Sequence, residues 1–287
     1  MKSKLSPFLW SSLVMLLSLA VMLYVAFKEK NFFEANQIVS PDVSVLPAIA
    51  YFFGTVVILA LILFIIPLNK LRLVFRALFT LMFGWGVFIV IALVFLPVAA
   101  YPLAIIAGIA WLFWDRIWLH DLLFLITLAG AGAVFGFLFS PLTFIIFMLV
   151  VAIYDFMAVR FGFMIWMADK LSESTTLPAF IFPKTIKDWG LKLRDVRISE
   201  LKTETPEDRE YAIVGGGDIG FPLMLSGSVS FASGLSSAIV VGIFALLGLM
   251  SAFLIQMVWL KGKPIPALPP IALFSLLGFI IANLFLG

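Results

Sequence analysis

Apolar residues run along this chain in long unbroken blocks, without strand-like alternation or heptads. Nine blocks come close to the roughly 20 residues that a membrane-spanning helix needs. They cover about 6–27, 45–67, 77–97, 98–114, 122–139, 142–167, 211–233, 236–260 and 264–286. The pattern predicts an all-α integral membrane protein with nine transmembrane helices. The third and fourth blocks meet at Pro97-Val98-Ala99-Ala100 and the fifth and sixth at Ser140-Pro141, so both turns must be tight. The first run, Leu5 to Phe27, is longer than the core of about 7–15 residues in a cleavable signal peptide, and it reads as a retained first span. Residues 168–210 are the one substantial polar segment, with nine acidic and eight basic residues around the apolar tract Leu177–Pro183. The expected organisation is therefore a six-helix membrane part (1–167), a polar loop (168–210) and a three-helix membrane part (211–287).

Composition agrees with the pattern. The chain is 63% hydrophobic and 12% charged, where soluble domains are roughly half apolar and a quarter charged. Without cysteine it has no disulfide, no thiol nucleophile and no thiolate metal site. The net charge of +3 matters less than where the charges fall. Threading nine spans puts sixteen Lys and Arg on the side of the N-terminus and two, Lys28 and Lys30, on the other, with Arg160 inside the sixth span. Leaving out the long loop still gives eight to two. The positive-inside rule then predicts a cytoplasmic N-terminus and an external C-terminus. Trp10, Trp111, Trp114, Trp118, Trp166 and Trp259 fall near the cytoplasmic ends, as an interfacial belt does. No basic stripe with interleaved aromatics points to nucleic acid. No internal repeat points to an inverted-repeat transporter.

Two carboxylates then stand out. Asp155 in the sixth span and Asp218 in the seventh lie in segments apolar enough to cross a bilayer, where an acid costs several kcal/mol and marks function by default. Around Asp155 the residues three, four and seven positions away are Val151, Ala152, Ala158, Val159 and Gly162, a small-residue face that lets a neighbouring helix approach. Arg160, five residues on, is turned away from Asp155 and sits where it can snorkel to the surface. Asp218 follows Gly215-Gly216-Gly217. Each glycine costs roughly 1 kcal/mol in a helix interior relative to alanine, so this end of the span is weakly helical and its backbone is accessible. The ninth span opens Pro264-Ile265-Pro266-Ala267-Leu268-Pro269-Pro270, which forbids a regular helix there. Irregular backbone at membrane depth is tolerated where protein buries it or it lines a wet cavity.

These parts suit hydrolysis of a peptide bond inside the membrane. The bond in a spanning helix is shielded, so cutting it needs water, local unwinding and an acid–base pair. Two carboxylates at contact share a proton; one takes a proton from water while the other protonates the carbonyl oxygen. The glycine-rich and proline-rich segments could offer backbone edges to an unwound substrate.

At these residues the chain resembles the presenilin and signal peptide peptidase family of intramembrane aspartyl proteases, the GxGD type. The match lies in Tyr154-Asp155 on the sixth span, Gly215-Gly216-Gly217-Asp218 on the seventh and Pro266-Ala267-Leu268 at the ninth. The cytoplasmic N-terminus resembles presenilin, whereas signal peptide peptidases have the inverted topology, and the short, cysteine-free chain looks most like an archaeal presenilin homologue. The resemblance implies a presenilin-like fold, Asp155 and Asp218 as the catalytic dyad, and site support from Tyr154, Gly215, Gly216, Gly217, Pro266, Ala267 and Leu268. Gly216 stands where many relatives carry a bulkier residue. The resemblance also implies transmembrane-helix substrates, no cofactor or metal, the cell membrane of an archaeon, and a 168–210 loop in which family members cut themselves. It implies no obligate partner subunit and leaves a homo-oligomer open.

Two other readings use the same acids. A proton- or cation-coupled transporter would bind its ion at Asp155 and Asp218, although few other charges line a path to them. A prepilin-type peptidase shares GxGD but lacks Pro-Ala-Leu. His120, with Asp115 and Asp121, reads as an interfacial polar cluster, and Gly132 with Gly136 as a helix-packing GxxxG. Residues 168–210 read either as a solvated linker joining the two helical parts or as a regulatory or plugging segment, in which the apolar Leu177–Pro183 tract would cover the way into the site.

Overall fold

The computed structural model of the chain describes residues 2–41, 43–95, 97–163, 166–167, 170–171, 176–196, 211–258 and 265–286. Nine helices are present among them: α1 (Lys2–Ala35), α2 (Val45–Ile65), α3 (Leu68–Val94), α4 (Pro97–Phe113), α5 (Ile117–Leu138), α6 (Pro141–Arg160), α7 (Gly216–Ser233), α8 (Leu235–Val258) and α9 (Leu268–Phe285). Each overlaps one of the nine apolar blocks. Seven of them are long and apolar enough to cross a membrane; α4, with 17 residues, and α7 fall outside that group. The proline breaks become helix starts. Ser140 caps α6 by accepting a hydrogen bond from the Thr143 amide at 3.3 Å, and Pro141 takes the first turn, where a missing N–H costs nothing. Gly162, at φ +74°, follows the end of α6 in a conformation that favours glycine.

Glycine sets the centre of the bundle. α5 packs closely on α7, and α1 lies against both. A Cβ on Gly136 would come within 2.6 Å of the Gly227 backbone, and one on Gly227 would meet the Gly132 carbonyl. The GxxxG of α5 thus brings two backbones together, the role its spacing suggested. α8 pairs mainly with α9, and α3 with α4. α2 makes its main helix contact with α6.

The principal departure from the expected helices lies before Asp218. Residues 211–215 form a strand, β2 (Tyr211–Gly215), antiparallel to β1 (Ala179–Pro183). The helical part of the seventh span therefore begins at Gly216 instead of 211. The apolar tract, read as a cover, supplies β1, and all five of its residues are buried. The reason is local chemistry: β-branched and aromatic residues occur in both segments, and the glycines make a helix expensive where β2 ends. Several helix ends also shift, by up to nine residues, and α6 ends at Arg160 instead of 167. α1 runs on to Ala35 and so takes in Glu29, which is buried, and α3 starts at Leu68, so that Lys70, Arg72 and Arg76, expected between the second and third spans, lie inside it. Trp259, Lys261, Lys263 and Pro264, with all of the polar loop beyond Val196, lie outside the described residues.

Candidate active site

Three helices meet at the two aspartates. α6 carries Asp155, α7 carries Asp218, and α9 begins beside them, each touching the other two. Asp155 sits in regular helix and is 5% exposed; Asp218, in the first turn of α7, is half-buried. The two carboxylates are close enough to interact electrostatically. Arg160 is exposed at the end of α6, in line with its spacing from Asp155.

The Pro-Ala-Leu segment acts through its backbone. The Leu268 amide donates to Asp155 Oδ2 at 3.2 Å. A helix start offers several unpaired amides, but Pro269 and Pro270 have none, and the Ile271 amide bonds the Ala267 carbonyl at 3.4 Å. Leu268 is therefore the amide through which α9 addresses Asp155. Ala267 is the cap residue of α9, and Pro266 precedes it, half-buried. A hydrogen bond to a carboxylate contributes about 1.5–3 kcal/mol, enough to hold the Asp155 rotamer.

The glycines around Asp218 have separate tasks. Gly215 ends β2 and caps α7, and a Cβ there would lie 3.1 Å from Asp218 Oδ2. The Gly216 amide donates to the Pro178 carbonyl at 2.9 Å. A side chain at Gly216 would run into the ring of buried Phe124, so Phe124 fills the space that a bulkier residue at 216 would need. Gly217 is exposed, with the Phe221 ring 3.1 Å from where its Cβ would stand. Pro222, four residues after Asp218, has no N–H, so the Asp218 carbonyl lacks its regular helical donor. The chain around Asp218 is thus held mainly by β2 and its partner strand.

β1 in turn is held by residues that sequence reasoning placed at an interface. His120 is fully buried and Asp121 nearly so, a correction to the interfacial cluster. Trp111 Nε1 donates to His120 Nδ1 at 3.3 Å, which leaves His120 Nε2 to carry the proton and donate to the Ala179 carbonyl at 3.0 Å. The Asp121 carboxylate accepts from the Ile181 amide at 3.1 and 3.3 Å. Both imidazole nitrogens are committed, and α5 occupies the outer edge of β1. In an antiparallel ladder the backbone groups alternate in direction. With Ala179 and Ile181 turned to α5, Phe180 and Phe182 face β2 at Val214 and Ala212. Ile213 and Gly215 then face outward, the latter beside Asp218. The clue in the sequence was two polar residues in an otherwise apolar block, but nothing local named their partner 60 residues away.

Tyr154 points elsewhere. Its ring packs edge-on against Phe52 and Phe53 of α2, at 6.0 and 5.4 Å between centroids. Phe52 also meets Phe147 of α6 and Phe221 of α7. This residue of the expected motif joins α2 to the site.

Residues 11–287 match the family described as signal-peptide peptidase, presenilin aspartyl protease. Two solved structures of a presenilin family intramembrane aspartate protease, in space groups C222 and P2, superpose on the chain with TM-scores of 0.64 and 0.65. Each is 18% identical and covers 97% of this chain, which in turn covers 99% and 98% of them. That likeness is one of fold, extending nearly end to end. A comparison with curated protein sequences found no match.

Proposed function

We propose, for a chain that belongs to the signal-peptide peptidase and presenilin family of aspartyl proteases, that Asp155 and Asp218 are the pair that performs its chemistry. The protein is a multi-pass intramembrane aspartyl protease. The single observation that carries the residue assignment is the meeting of the two carboxylates where α6, α7 and the start of α9 converge. One carboxylate takes a proton from water as the water attacks the scissile carbonyl, while the other, protonated, donates to the carbonyl oxygen. The Leu268 amide orients Asp155 for this work. Gly215 leaves room beside Asp218, and Gly216 ties the start of α7 to the segment before β1.

The outward edge of β2 gives an unwound substrate its place. An extended segment can add along Ile213 as a third strand, its backbone groups satisfied by the sheet while the bond to be cut lies next to Asp218, whose carboxylate already accepts from the Gly215 amide. The substrates are membrane proteins cleaved within their spanning helices. All nine helices span the membrane in this reading, with a cytoplasmic N-terminus, an external C-terminus and a place in the cell membrane. The sixteen-to-two division of basic residues supports that orientation.

The test is cleavage of a single-span substrate by purified, reconstituted protein, with products read by mass. Asp155→Ala and Asp218→Ala each abolish cleavage while helicity and melting are kept. Substantial residual proteolysis in either variant removes that residue from the dyad. Dissipation of a pH gradient without peptide products would favour the transporter reading instead.

A further inference from the structure

We infer that the chain has a binding site for an anionic phospholipid headgroup, at the junction of α3, α4 and α5 with the turns that follow β1. A cavity of about 540 Å³ opens there, lined by Arg76, Arg116, Lys192 and Arg194 and by a single carboxylate, Asp115. Cations converge from three parts of the chain that are far apart in sequence: the first turns of α3, the N-cap of α5, and the segment around the 3-10 turn Leu193–Asp195. Like charges brought together raise the free energy of the empty site, and a phosphodiester relieves that repulsion.

The cluster is built into the fold. Arg76 donates to the Leu112 carbonyl at 2.6 Å, and Arg116 donates to the Gly190 carbonyl. These bonds fix both stems and commit one terminal nitrogen of each guanidinium, leaving donors to face an anion. Backbone bonds close the turn around them: the Ile117 amide to the Leu191 carbonyl at 3.1 Å and the Leu193 amide to the Asp115 carbonyl at 2.8 Å. Arg194 and Asp115 approach only to 3.9 Å, with the Arg194 side chain 53% exposed. Such a pair contributes little and yields readily to a stronger anion.

The rim selects a lipid over a free anion. Leu73 and Phe113 are 75% and 80% exposed beside the cations, and Trp114 packs edge-on to Trp118 at 6.3 Å. Large apolar side chains next to a cationic hollow, with tryptophans at the same level, match a phosphate at headgroup depth with acyl chains along α3 and α4. The site also bears on the protease. Arg116 and Asp115 hold the turns that follow β1, and His120 and Asp121, one turn further along α5, hold β1 itself. A bound headgroup would steady the strand that positions Asp218.

The experiment measures retention of phosphatidylglycerol, against phosphatidylcholine, by the purified full chain using native mass spectrometry. Wild type is expected to keep phosphatidylglycerol selectively. Lys192→Gln with Arg194→Gln should weaken it about thirtyfold, as expected for the loss of two interfacial cations, and the exposed single variant Arg194→Gln about fivefold. Arg72→Gln, on α3 but outside the cavity, should stay within about twofold of wild type. Unchanged retention in the double and single variants would overturn the site. So would an equal loss with Arg72→Gln, which would mean diffuse surface attraction. Displacement by inorganic phosphate as effective as by the lipid would make it a site for free anions only.

Discussion

Asp218 and Asp155 stand on two unlike walls. Asp218 belongs to the side made by α1, α5 and α7, where Gly132, Gly136 and Gly227 bring backbones into contact and 13 of the 22 residues of α5 are buried. Asp155 belongs to α6, whose outer neighbour α2 buries Leu63 alone and is joined to it largely through aromatic edges. Between the walls, α9 reaches Asp155 with one amide. The contrast teaches that the two carboxylates are controlled differently. One is fixed by close packing through a strand; the other sits on a helix whose far side can part from its neighbour. A substrate helix has to come between packed helices to reach the pair, and the α2–α6 contact is the weaker seam.

The largest effect tests the pair itself. Asp155→Ala and Asp218→Ala remove a group that carries a proton in the transition state, and each should lower the cleavage rate by at least 10²–10⁴-fold. Because the mechanism needs one protonated and one ionised carboxylate, wild-type rate against pH should be bell-shaped. It falls in acid, where no base is left, and in alkali, where no acid is left. A profile that keeps rising across the range would break the shared-proton mechanism.

Next is the anchoring of the fixed wall. Asp121→Ala strips the Ile181 amide of its acceptor, lets β1 shift and, through β2, misplaces Asp218. Cleavage should fall on the order of 10–100-fold, since displacements of about 1 Å cost that much. The product masses should spread over neighbouring bonds. Asp121→Asn keeps one acceptor oxygen and should restore most of the rate and the single cut position. If Asp121→Ala merely lowers melting and leaves the products unchanged, the residue supports the fold without positioning the site.

This anchoring marks where the sequence stopped being legible. Asp155 and Asp218 could be read from the chain because a carboxylate in an apolar block is costly wherever it sits, and the nine helix positions could be read because apolar length is a local property. The Ser140-Pro141 break was visible for the same reason. The pairing of Ala179–Pro183 with Tyr211–Gly215 was not. Each strand is a short apolar run that suits a buried helix as well, and its partner is set by tertiary contact across a polar loop. His120 and Asp121 followed from that blind spot: with β1 unknown they had no visible partner and looked like surface residues. The Leu268 amide was hidden for another reason, because side-chain patterns do not show which backbone amides two prolines leave over.

Smaller effects compare glycines on the two walls. Gly227→Ala drives a methyl group into the Gly132 carbonyl on the tight side and should destabilise the protein by about 1–3 kcal/mol, read as a lowered Tm in detergent. Gly54→Ala on α2 meets nothing within 4 Å. Replacing a helical glycine in open space should be neutral or add up to about 1 kcal/mol. Equal losses at both positions would erase the distinction between the walls.

The smallest predicted change addresses the seam. Phe53→Ala removes one of the two rings that α2 sets against Tyr154, and an aromatic pair contributes about 0.5–1.5 kcal/mol beyond its buried area. The tight wall and the β1–β2 sheet do not involve Phe53, so the chemical step should be untouched. What changes is the free energy of parting α2 from α6, which a substrate must supply on its way in. The expected result is a KM lower by up to about tenfold, with kcat and product masses unchanged. A fall in kcat at constant KM would instead place the Phe53 ring in the support of Asp155, and the loose wall would then be part of the catalytic frame.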